Sequence, residues 1–133
     1  MKIPNEEHLQ FLETLLERTK CGVLIWRHIM SEASVNALVF PDYDINDNGC
    51  FSCALMDKNE SAIVYIARTA GSGETLLSVK VEGSADGFIV LEPQSSHAWA
   101  LTLRLFHAVY ERFPPVEKNI RSFLSKYLKS DRL

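Results

Sequence analysis

From Val23 to Leu91 the chain is a succession of short branched and aromatic runs, separated by links too short to be more than turns. The runs lie near 23–28, 35–40, 50–56, 62–68, 75–82 and 88–91, and each reads as a strand. The links carry turn chemistry: Asn48-Gly49, Asp57-Lys58-Asn59-Glu60, Gly71-Ser72-Gly73 and the stretch from Gly83 to Gly87. Parallel neighbours need a crossover of about a dozen residues or more, so links of this length join antiparallel strands. Strands three to six are therefore expected to form a meander. Asn48-Gly49 is read as a tight hairpin turn, whose two central residues need positive φ. The run at 75–82 alternates, with Leu77, Val79 and Val81 on its apolar face. Two other runs are apolar on both faces. One sets Val35, Ala37 and Val39 against Leu38 and Phe40; the other sets Ile63, Tyr65 and Ala67 against Ala62, Val64 and Ile66.

Helical periodicity frames these strands. A first helix is expected from about Glu6 to Lys20, with Asn5 as its N-cap and Gly22 as its left-handed stop. Its buried stripe is Leu9, Leu12, Leu15, Leu16 and Thr19. Pro93 ends the sheet, and Ser95 or Ser96 can cap a second helix from about His97 to Arg112. Trp99, Phe106 and Tyr110 are expected to turn towards the sheet and meet Trp26 or its strand neighbours. Pro114-Pro115 breaks this helix, and Pro115 suits the first turn of a third. There Val116, Ile120, Phe123, Leu124, Tyr127 and Leu128 line one face. The fold expected is one α+β domain over 1–133: an N-terminal helix, a five- or six-stranded antiparallel sheet, and two C-terminal helices packed on one face. Three helices cover one face of such a sheet and not both. The second apolar face must then meet something: the sheet curling over itself, a ligand in its concavity, or a second copy, of which a second copy in a two-fold pair is the expected cover.

The chain has 133 residues, 47% hydrophobic and 23% charged, which excludes a disordered chain or a coiled-coil rod. Its formal charge of −3 offers nucleic acid no overall basic field. The charge is uneven: residues 1–103 carry a net of −7 and residues 104–133 a net of +4, much of it from Lys118, Arg121, Lys126, Lys129 and Arg132. A solvated helix face accounts for that run, and a docking face for an acidic partner is the sharper reading. The polar, acidic start Met1-Lys2-Ile3-Pro4-Asn5-Glu6-Glu7 is not a signal peptide. No run reaches the ~18 apolar residues that span a bilayer. Three cysteines and no export signal point to reduced thiols in a cytoplasm.

Chemistry-bearing motifs are weak. Cys50-Phe51-Ser52-Cys53 is a lone C-x-x-C in a strand pattern, where positions three apart point to opposite faces. Buried thiols explain it; a zinc site would need two more ligands, for which Cys21 and His28 lack the spacing. Asp44-Ile45-Asn46-Asp47-Asn48-Gly49 matches the start of a calcium loop, but Leu55 stands where the bidentate glutamate belongs. Asp42, Asp44 and Asn46 are accordingly expected to hold no calcium at micromolar concentration. Gly71-Ser72-Gly73 lacks the lysine and helix of a phosphate loop. His8, His28, His97 and His107 are scattered, and His107 with Glu111 suits a helix-face ion pair. No nucleophile elbow or carboxylate pair stands out. The residues predict no catalytic group, no cofactor and no metal.

The series Leu9-x-x-Leu12-x-x-Leu15, then Thr19-x-x-Gly22-x-Leu24-x-Trp26, resembles that of small bacterial proteins of unassigned function. Those have an amphipathic N-terminal helix, a T-x-x-G-x-L-x-W step into an antiparallel sheet, and a closing helical pair. The resemblance implies a fold and no activity. A second, lower-ranked comparison is with type III secretion chaperones, which are similar in size, acidic and dimeric, but place a helix between their strands, whereas Val23 to Leu91 here reads as strand after strand. The function expected is a non-enzymatic protein-interaction or regulatory module. The alternatives are a small-molecule binder with a pocket between sheet and helices, and a dimer like the secretion chaperones.

Overall fold

The structure, a computed structural model, describes residues 3–29, 38–71, 73–113, 120 and 123–128. Helix α1 (Asn5–Lys20) buries His8, Leu12, Leu15 and Thr19, one residue per turn along a single face. Asn5 is not its cap. Pro4 holds that position, its carbonyl accepts the His8 N–H at 3.0 Å, and the Asn5 Oδ1 accepts instead from the Ser95 hydroxyl at 3.2 Å. At the other end Gly22 takes φ +76°, and the Val23 N–H closes back on the Arg18 carbonyl at 2.9 Å. Only a residue without Cβ adopts that conformation freely. The buried Trp26 Nε1 then donates to the Thr19 Oγ1 at 2.9 Å, so threonine, glycine, leucine and tryptophan of the sequence series form one joint between helix and sheet.

The sheet has five strands in the order β1 (Trp26–His28), β2 (Ile45–Asp57), β3 (Glu60–Thr69), β4 (Thr75–Val81) and β5 (Ile89–Leu91). Each pairs antiparallel with the next, so the expected α+β meander is present. Two local expectations are corrected. The strand expected at 35–40 is not one: Leu38 and Val39 are helical and Phe40 begins a bend, while 35–37 lie outside the described residues. Asn48-Gly49 is not a hairpin turn either. It lies inside β2, at a register shift between Ile45 and Cys50. A Cβ on Gly49 would stand 3.4 Å from the Arg68 Cβ and 3.5 Å from the Phe106 ring. The glycine there serves close approach at a bulge, not a reversal of the chain. The tight reversal is made one strand later, where Asp57 pairs with Glu60 and Lys58 takes φ 43°.

Helix α2 (Ser96–Tyr110) is capped by Ser95, whose Oγ accepts the Ala98 N–H at 3.1 Å. Its buried side is Ala98, Leu101, Thr102, Leu105, Phe106 and Val109. Helices α1 and α2 pack on each other and on the Phe51, Cys53, Val64, Ile66 and Leu77 face of the sheet. Phe106 and Tyr110 do meet that face, through the Phe51 ring at 6.0 and 6.1 Å. Trp99 does not. It is 52% exposed, because it lies one residue round from the buried Ala98 and so off the covered side.

The opposite face has its own cover from within the chain. Val39, Phe40 and Ile45 pack with Cys50, Ala67 and Leu76, and Tyr43, Tyr65 and Phe88 border them. The Ser78 hydroxyl, buried in mid-strand, donates to the Val39 carbonyl at 2.9 Å and fixes this cover to β4. The third helix also departs from expectation. Residues 120 and 123–128 are helical, yet Ile120, Phe123, Leu124, Tyr127 and Leu128 are all exposed, so the helix pair on the sheet is α1 with α2. Val116 lies outside the described residues.

Candidate functional site

Cys50 and Cys53 are both buried, and the strand separates them: Cys50 belongs to the second core, Cys53 to the helix-side core. Burial pushes the Cys50 thiol up to about 11 and raises that of Cys53, while Cys21 is exposed. Only the thiolate attacks a disulfide. One thiol in three is thus expected to react rapidly with Ellman's reagent at pH 8, and all three after denaturation. Fast reaction of two or more in the folded protein would refute this placement.

Asp42 and Asp44 are exposed, and the chain from Ile45 onward is strand rather than loop. The side chains of Asn46, Asp47 and Asn48 lie outside the described set. Among the described residues no three His, Cys, Asp or Glu side chains gather closely enough to share a metal ion. His97 and His107 are exposed. His28 is half-buried against Phe51, with ring centroids 5.2 Å apart. His8 is buried on α1; its Nε2 has no hydrogen-bond partner among the described residues, and burial lowers its pKa. Lys126 is exposed, and Lys118, Arg121, Lys129 and Arg132 lie outside the described residues.

Two concavities stand out. A groove of about 820 Å³ runs between α1 and the end of the β2–β3 hairpin. Phe11, Leu15, Leu24 and Leu55 give it apolar walls, the exposed Val23, Met56 and Val81 border it, and Glu7, Asp57, Glu60 and Arg18 supply its charge. The second is a pocket of about 280 Å³ where β5 stops pairing after Leu91 and the chain turns away through Glu92 and Pro93. Tyr43, Glu74, Thr75 and Trp99 complete it. The Tyr43 hydroxyl donates to the Glu92 carboxylate. That bond, burial and the negative charges of Glu92, Glu74 and Asp42 push the phenol up to about 12.

No protein-family model, curated protein or solved structure matches this chain. The sequence suggested a pocket between sheet and helices but named no residue of either concavity. The pocket draws on four stretches far apart in the chain, and no local spacing signals their meeting. The groove's outermost apolar residues are Val23, in the turn before β1, and Met56, at the exposed end of β2.

Proposed function

We propose that this chain is a non-enzymatic interaction module that pairs with a second copy of itself. The C-terminal helix of each copy lies in the groove beside α1 of the other. The observation that carries the reading is the bare apolar face of that helix. Ile120, Phe123, Leu124, Tyr127 and Leu128 follow the i, i+3, i+4, i+7, i+8 spacing of a buried stripe, yet all are exposed. Burying such side chains is worth about 1.5–3 kcal/mol each. An amphipathic helix laid into an apolar groove is a recurrent mode of recognition. Charge favours the match: the groove holds three carboxylates and one guanidinium, and residues 104–133 carry a net of +4. Three free cysteines suit a reducing, cytoplasmic setting.

Light scattering at two concentrations tests the pairing. The mass is expected to rise towards twice 15.1 kDa. Phe123→Asp alters an exposed residue and spares the fold, and is expected to weaken association by about 2 kcal/mol, roughly thirtyfold. A mass of 15.1 kDa at both concentrations rejects the pair. The groove volume also supports a second reading, a small-molecule binder with its pocket between sheet and helix. That reading expects a metabolite to raise the melting midpoint of a protein that stays monomeric.

A further inference from the structure

The pocket at the end of β5 combines features that a resting surface has no use for. Trp99 holds its indole in solvent on the first turn of α2, where a smaller side chain would serve the helix as well. Glu74 and Glu92 are both exposed beside it, and among the described residues no lysine or arginine lines the pocket. Thr75 is only 5% exposed, and its hydroxyl has no hydrogen-bond partner among the described residues. A buried hydroxyl without a partner is costly, and the groups that persist so in folded proteins call for an explanation.

Each feature narrows the ligand. Two carboxylates, with no lysine or arginine among the described lining residues, favour a cation. An exposed indole next to them adds attraction for an organic cation, through its negative π face. A metal ion is disfavoured, because no three suitable donors converge among the described residues. The unpartnered Thr75 hydroxyl can accept an N–H, which a quaternary ammonium lacks and a primary ammonium has. The volume, about 280 Å³, is below that of a drug-sized pocket, so the occupant is small.

We propose that the pocket formed by Tyr43, Glu74, Thr75, Glu92 and Trp99 binds a primary alkylammonium group, with Trp99 against its alkyl part and Thr75 and Glu92 taking its N–H donors. The phenol of Tyr43, raised first by its hydrogen bond to Glu92 and by burial and then by the negative charges of Glu92, Glu74 and Asp42, is consistent with this. The site is independent of the pairing groove, with which it shares no lining residue.

The test is titration of the full chain with butylammonium, followed by tryptophan emission and calorimetry. Trp26 is buried and hydrogen-bonded, so a change in emission reports Trp99. Saturable binding is expected for butylammonium, and binding at least about tenfold weaker for tetramethylammonium, which has no N–H. Thr75→Val keeps the shape of the side chain and removes the unpartnered hydroxyl. It is expected to fold at least as stably as the parent and to bind butylammonium about tenfold more weakly, as is Glu92→Gln. Nα-Acetyl-lysine amide, with its side-chain ammonium free, identifies the source of the group: tighter binding than butylammonium assigns a lysine side chain, weaker binding a free amine. Equal binding of the two ammonium ions, unchanged affinity in a folded Thr75→Val, or a response no greater than that to potassium chloride would overturn the proposal.

Discussion

Phe51→Ala is expected to remove about 3–5 kcal/mol of stability, the largest loss any single truncation in this chain should give. Phe51 is fully buried in the middle of β2. Its ring meets His28 at 5.2 Å, Phe106 at 6.0 Å, Tyr110 at 6.1 Å and Phe113 at 5.1 Å, so it joins the edge strand, α2 and the turn beyond α2. Aromatic pairs with tilted and edge geometry add about 0.5–1.5 kcal/mol beyond burial. Removing the ring also leaves a cavity bounded by other rings, which cannot close by small side-chain shifts. A domain is stable by only about 5–15 kcal/mol, so the variant should unfold at a much lower urea concentration, or fail to fold. Trp99→Ala is the control. Its ring is larger, but it is half in solvent, and the loss should stay below about 1 kcal/mol. Urea titration of both variants checks the pair. Equal losses would mean that α2 is rotated about its axis from the orientation described.

Comparison of these two aromatic residues shows what the sequence makes legible. Period and turn chemistry located α1, α2, β3, β4 and β5, because each is a local signal: Gly22 stops a helix, Ser95 caps one, and Gly71 and Gly73 close a turn with positive φ. The rotation of α2 is not local. Apolar residues surround most of that helix, and only the sheet decides that Ala98 and Leu101 go inside while Trp99 stays out. Val35 to Phe40 failed for a related reason. A short apolar run fits a buried strand and a buried helical turn equally well, and Leu38 and Val39 are helical. At Asn48-Gly49 the dipeptide names a turn, but the Phe106 ring 3.5 Å from a virtual Cβ explains the glycine by a neighbour 57 residues along the chain. The ligand pocket was illegible throughout. Tyr43, Thr75, Glu92 and Trp99 meet only because β5 ends at Leu91 and the chain turns outward there.

Phe40→Ala is expected to cost nearly as much as Phe51→Ala, about 3–5 kcal/mol, and to do something that Phe51→Ala does not. Phe40 is fully buried on the opposite face of the sheet, in the segment that covers Cys50, Ala67 and Leu76. Among the described residues this cover is a bend with a Tyr43 N–H to Phe40 carbonyl bond at 3.1 Å, a Ser78 hydrogen bond to Val39, an Ala70 N–H to Asp44 carbonyl bond at 2.7 Å, and the packing of Val39, Phe40 and Ile45. With the phenyl ring gone, the segment keeps its hydrogen bonds but loses most of its apolar contact. Local opening of the segment then costs little compared with global unfolding. What it uncovers is a sheet face with Tyr65, Leu76 and Phe88, and exposed apolar area of that kind drives association. Phe40→Ala is therefore expected both to lower the urea midpoint and to associate at concentrations where the parent does not. The association should persist when Phe123→Asp is added, because it uses the sheet face and not the C-terminal helix. If Phe40→Ala costs less than 1 kcal/mol, or the double variant stays monomeric, this segment does not cover the second face, and a curl of the sheet, a ligand or a second copy must bury it instead.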